Sequence, residues 1–86
     1  MQHHIKILGH KAKDKITGYE GVVESISFDL YGCVQAALRP ELDKDGKFRE
    51  GHWFDVKRLD ILSKKPVMEV PDFSKLEIGA AEKPAR

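Results

Sequence analysis

Asp14-Lys15-Ile16-Thr17-Gly18-Tyr19-Glu20-Gly21-Val22-Val23 is the stretch that decides how this chain folds. A polar entry leads to a glycine and an aromatic residue. A second glycine follows, and then a β-branched pair. A tight loop feeding a strongly bent β-strand asks for this order. Gly18 takes a backbone angle that a side chain disfavours, and Gly21 lets the strand coil with no Cβ in the way.

Upstream, a first strand is expected over residues 11–16, where Lys11, Lys13 and Lys15 alternate with Ala12, Asp14 and Ile16. Asp14 interrupts the apolar face. Standing just before a Thr-Gly turn, its carboxylate is expected to accept backbone N–H groups. In the first ten residues, Ile5, Ile7 and Leu8 are candidate anchors. Downstream, a second strand over 21–30 sets Val22, Ile26, Phe28 and Leu30 on one face. Val23, Ser25, Ser27 and Asp29 take the other, and Glu24 is the misfit that marks a bulge. Tyr31-Gly32 turns the chain. A third strand over 33–38 aligns Val34, Ala36 and Leu38, and Arg39-Pro40 stops it, because proline removes a ladder donor. Residues 41–51 form a polar hairpin loop around the turn Asp43-Lys44-Asp45-Gly46. A fourth strand over 52–55 carries Trp53 and Phe54. Lys57-Arg58-Leu59 makes a 3₁₀-type turn, and 60–62 is a short closing strand. The expected fold is all-β: a small five-stranded antiparallel SH3-like barrel over residues 1–63.

From Ser63 the character changes. Pro66, Pro71 and Pro84 punctuate a segment without helical or strand periodicity. Residues 64–74 are expected as an extended arm anchored by Val67, Met68, Val70 and Phe73. The arm and a tail, disordered over 79–86, complete the chain. A barrel of about 65 residues lies near the lower limit for a self-sufficient core. A homo-oligomer, most simply a dimer, would relieve that shortage. Two placements of the arm stay open: folded back on its own barrel, or exchanged with a neighbouring chain.

The 86-residue chain carries a net charge of +1, which gives no global pull toward nucleic acid or membrane. The charge is uneven: residues 1–15 hold four lysines against Asp14, while 16–38 hold Glu20, Glu24 and Asp29 with no base. Solvated faces are expected, with head-to-tail association the alternative. The single cysteine, Cys33, excludes an internal disulfide and fits a reducing cytoplasm. After Gly32, at the start of a strand, it is expected as a small buried hydrophobe. No apolar stretch approaches the roughly 18 residues of a membrane helix, and Met-Gln-His-His-Ile-Lys lacks a signal-peptide core. A cytoplasmic protein without membrane contact is expected.

Histidines 3, 4, 10 and 52 show no ligand spacing, and neither a metal nor another cofactor is expected. Cys33, His52 and Asp55 are the only nameable nucleophilic set. No elbow or helix N-terminus is present to activate the thiol, so no catalytic residue is expected. Gly18-Tyr19-Glu20-Gly21 lacks the Gly-Lys-Ser/Thr ending of a phosphate loop. Trp53-Phe54 is more informative, because neighbours on a regular strand face opposite ways. Tyr19, Tyr31, Trp53, Phe54 and Arg58 form the candidate binding surface, suited to stacking on a base or gripping a peptide. The alternative is that both Trp53 and Phe54 pack, one in the barrel and one under the arm. An Asp55–Arg58 pair is expected to close the turn.

Residues 13–23 resemble a KOW-type element, the glycine-centred motif of transcription elongation and ribosomal barrels. A wider pattern spans 11–73: Asp14-x-Ile16-Thr17-Gly18-Tyr19-x-Gly21, Tyr31-Gly32-Cys33-Val34-Gln35, Trp53-Phe54-Asp55-x-x-Arg58-Leu59 and Pro66-Val67-Met68. It resembles a group of small uncharacterised proteins of bacteria, prophages and mobile gene cassettes. The resemblance implies an SH3-like barrel acting as a non-catalytic protein-binding or assembly module of a prophage or mobile element. The KOW likeness implies, as an alternative, contact with RNA, for which Lys11, Lys13 and Lys15 offer a face. The plasmid-borne type II dihydrofolate reductases, also short oligomeric barrels, carry a Val-Gln-Ile-Tyr run. Here Val34-Gln35 continues into Ala36-Ala37, and the activity does not transfer.

Overall fold

In a computed structural model, residues 2–73 are described. The expectations for the tail beyond them, including disorder over 79–86, lie outside the described residues. Five antiparallel strands build one sheet in the order β4-β3-β2-β1-β5. They are β1 (Lys11–Asp14), β2 (Glu20–Phe28), β3 (Val34–Arg39), β4 (His52–Asp55) and β5 (Leu59–Ile61). A one-turn helix, α1 (Gln2–Ile5), precedes them and was not expected. A 3₁₀ turn, Val56–Arg58, joins β4 to β5. The sheet is open: β4 bonds only to β3, and β5 only to β1.

β1 ends at Asp14, which pairs with Leu59 of β5 and organises the turn that follows. Its carbonyl accepts the Gly18 N–H at 2.8 Å, and Gly18 sits at φ +80°, a conformation that costs other residues a Cβ–carbonyl clash. Ile16, expected on the apolar face, is exposed as a consequence. Gly21 is needed for a different reason. A Cβ there would stand 2.6 Å from the Arg39 carbonyl oxygen, so β2 can cross β3 this closely only without one.

The bulge expected at Glu24 is present. Val23 pairs with Leu38 and Ser25 with Ala37, so Glu24 has no register partner on β3. One extra residue inverts the side-chain alternation. Val23 is therefore buried and Ile26 packs on the core behind it. This corrects the expected faces: Val22, opposite Lys11 and Arg39, points outward, and Val23 points in.

Ala12, Val23, Ala36, Leu38, Phe54 and Leu59 make the buried cluster, with Ile7, Leu8, Tyr19, Ile26 and Val56 packed against it. Two of the six are alanines, which lets strands approach closely but leaves little apolar area inside. Cys33 lies outside β3 and is exposed, not buried; the chain is still in the turn there.

The arm folds back on its own chain. The Val67 N–H donates to the Gly9 carbonyl at 2.8 Å. Val70 and Pro66 are half-buried, while Val67, Met68 and Phe73 stay exposed. The uneven charge of the sequence is resolved by register. Lys13 stands opposite Glu20 on one side and Asp60 on the other, and Lys15 lies 3.8 Å from Asp60. Among the described residues no helix is long and apolar enough to cross a membrane.

Candidate functional site

The β1–β2 turn positions one end of the molecule through a single buried carboxylate. Arg58 donates from Nε to Asp14 Oδ1 at 2.8 Å and from Nη2 to Oδ2 at 2.7 Å. Thr17 donates its backbone N–H at 2.9 Å and its hydroxyl at 2.5 Å to the same Oδ2. The Arg58 guanidinium therefore holds the Asp14 carboxyl well below the usual carboxylate range. Burial works the other way, and the Thr17 bonds add to the lowering. Asp14 stays ionised and fully engaged, which suits an anchor and not a proton carrier.

The expected Asp55–Arg58 pair is not made. Asp55 Oδ1 accepts the Lys57 N–H at 2.9 Å and caps the 3₁₀ turn. Capping leaves Arg58 free to cross to β1. The fork geometry of a guanidinium matches a carboxylate that has two open oxygens.

Arg58 also lies over Phe54, 5.4 Å from its centroid. Tyr19 packs against Phe54 at 5.2 Å and edge-on to His52 at 5.4 Å. The Tyr19 hydroxyl donates to the Glu50 carbonyl at 2.6 Å, tying the long loop to the β1–β2 turn. Burial pushes the Tyr19 phenol up from its ordinary value.

Three of the five candidate binding residues, Tyr19, Phe54 and Arg58, thus come together, with Phe54 buried and Tyr19 and Arg58 half-buried around it. Trp53 faces away from them. It pairs in register with Ala37 and is 51 % exposed, whereas Phe54 is 8 % exposed. Tyr31 is carried at the β2–β3 tip, past the far end of a nine-residue strand from Tyr19, a span of about 30 Å. Its neighbour there, Leu30, is 89 % exposed and Tyr31 87 %. Leu30 was expected inside the sheet and not as part of a surface. The signal for its position was available in the adjoining Tyr31-Gly32 turn.

Two hollows share Val22 as floor. One, of about 330 Å³, is lined by Lys11, Tyr19, Arg39, Arg49 and Leu62 among others. The other, of about 290 Å³, is apolar and is walled by Leu8 and by Val67, Met68, Val70 and Phe73 of the arm. The four arm residues named from sequence therefore line one groove together.

The described histidines stand apart. The His10 Nδ1 lies 2.9 Å from the Ser63 carbonyl, and His52 packs on Tyr19. Among the described residues no group of three or more His, Cys, Asp or Glu side chains is placed to hold a metal. No protein-family model, no curated protein and no solved structure matches this chain.

Proposed function

We propose that the chain is a non-catalytic assembly and protein-binding module built on an SH3-like barrel. The strand order β4-β3-β2-β1-β5 and the 3₁₀ turn between β4 and β5 support the barrel reading. So does the bulged β2, which pairs with β1 at one end and with β3 along its length.

One observation carries the function. Among the described residues twelve large apolar side chains are exposed, against seven apolar residues that are buried. What marks a binding site is a contiguous apolar patch, and the exposed arm residues Val67, Met68 and Phe73 line one apolar groove together. Trp53 is the anchor best suited to a partner protein. It is aromatic, outward and held on a strand whose next residue is locked in the core.

Contact with RNA is the alternative. Its lysine face is weakened by the register, because Lys13 and Lys15 stand beside Glu20 and Asp60. Affinity capture with the full chain, with and without nuclease, separates the two. A protein retained after nuclease treatment and lost with Trp53→Ala supports the module. Loss of every partner on nuclease treatment supports the alternative.

A further inference from the structure

Three residues stand in one row across the outward face of the sheet. Arg39 of β3 is opposite Val22 of β2, and Val22 is opposite Lys11 of β1. Opposed residues of an antiparallel sheet point the same way. Two exposed cations therefore flank one apolar residue, with their Cα atoms two strand spacings apart, about 10 Å. The row borders the hollow of about 330 Å³, whose other walls include Tyr19, Arg49 and Leu62.

Two bonds hold the long loop so that Arg49 stands at the rim. The Arg49 carbonyl accepts from Arg39 Nη1 at 3.3 Å, and the carbonyl of the next residue, Glu50, accepts the Tyr19 hydroxyl at 2.6 Å. The charges around the hollow do not cancel one another. Glu24 is taken by Arg39 at 3.0 Å, and Glu20 stands opposite Lys13. Glu41, the second acid of the lining, meets Arg49 through its backbone carbonyl. Among the described residues neither Lys11 nor Arg49 is in an ion pair. The Tyr19 phenol senses the same balance. Burial is the largest effect on it, and Arg49 and Arg39 each pull against burial more strongly than Glu50 or Glu24 adds to it.

Trp53 flanks this row. Its partner in register is Ala37, and Ala37 and Arg39 share one face of β3. Trp53 and Arg39 are thus diagonal neighbours, about 7–8 Å apart.

We propose that this face docks an acidic, extended segment of a partner protein. A glutamate or aspartate of the segment enters the hollow between Lys11 and Arg49, and an apolar residue near it in the segment rests on Trp53. A guanidinium takes a carboxylate in a two-pronged grip. Two unpaired cations and two acids in one lining suit a single carboxylate. A nucleic-acid strand brings a charge at every nucleotide, and Glu20 and Glu41 oppose it. The inference rests on the protein-binding reading above and deepens it by naming the partner's chemistry.

The test titrates a fluorescein-labelled glutamate–tyrosine copolymer with the full chain and follows anisotropy, with circular dichroism confirming that each variant folds. Wild type is expected to bind the copolymer at about 0.1 M salt, more tightly than it binds poly-L-glutamate. Lys11→Glu with Arg49→Glu should weaken binding about tenfold or more, because like charges then face one another. Lys44→Glu with Lys57→Glu makes the same change in net charge away from the hollow and should weaken it less than about twofold, since distant charges are screened. Trp53→Ala should remove the preference for the copolymer over poly-L-glutamate. An equal loss in the two charge-reversed pairs would overturn the site, leaving only an effect of net charge. A preference that survives Trp53→Ala would overturn the two-point docking. Tighter binding of poly(U), lost with Lys11→Glu/Arg49→Glu, would overturn the carboxylate assignment in favour of RNA. No binding of the copolymer would overturn this inference alone, because the nuclease-resistant capture through Trp53 tests the protein-binding reading separately.

Discussion

Asp14 shows how much one residue can organise. Its carboxylate joins the β1–β2 turn to a guanidinium 44 positions away, and the carboxylate is fully buried while the Arg58 side chain keeps one side in water. Asp14→Asn keeps the shape but leaves Arg58 without its counter-charge. The expected result is a fall in melting temperature of more than about 10 °C. The pH dependence has a definite sign. The folded carboxyl is held below its usual value of 3.8, so the unfolded chain takes up the proton first as acid is added. The stabilisation is fully present above about pH 4. It declines below that value, as the pH falls through the lower folded range. Thermal melts across pH 2–5 should show this slope in wild type and a flatter one in Asp14→Asn. The adjacent aromatics give a second contrast at this scale. Phe54→Ala opens the core and should cost about 3–5 kcal/mol by chemical denaturation. Trp53→Ala, from an exposed site, should change stability by less than about 1 kcal/mol.

At the scale of elements, β2 is decisive because it turns its inner face over partway along. Deleting Glu24 would restore simple alternation. Either Val23 or Ile26 would then have to leave the core, and the expected outcome is a chain that lacks a cooperative unfolding transition. Glu24→Ala keeps the residue count and should leave the transition in place. The two glycines of the entry turn act by different physics and are separable by substitution. Gly18→Ala meets open space at a positive φ and should cost about 1 kcal/mol. Gly21→Ala drives a methyl into the Arg39 backbone, and overpacking of this kind costs about 1–3 kcal/mol. Denaturant midpoints of the two variants check the order.

At the scale of the whole molecule, the balance between inside and outside is the dominant fact. A core with two alanines among six buried residues cannot cover the apolar groups that the hairpin tip, β4 and the arm present. On the assembly reading proposed above, the melting temperature should rise with concentration, as mass action requires of a folded oligomer. A melting temperature independent of concentration across the micromolar range would count against that. Much of the fold was legible from the residues alone. The five strands, the Thr-Gly and Tyr-Gly turns, the 3₁₀ turn and the Glu24 bulge all follow from patterns contained within a few residues. The candidate surface was less legible. Alternation puts one of Trp53 and Phe54 outward without saying which; the fold turns Trp53 out, gathers Tyr19 and Arg58 half-buried around Phe54, and leaves Leu30 at the tip beyond β2.

By itself, then, the sequence determined the local conformations: where alternation with a wet face makes a strand, where a missing Cβ permits a turn, and where a misplaced charge forces a bulge. These effects act over neighbouring backbone units, and no distant partner is needed to choose among them. Tertiary structure decided which acid receives Arg58. Asp55 is three residues away and Asp14 is 44, and burial beside the turn favoured the distant one. It also decided that Trp53 faces out and Phe54 in, that Lys13 lies between two acids, that Cys33 stays in water, and that the arm returns to Gly9. Each of these depends on strand order and register, which arise only when segments far apart in the chain compete for the same small core.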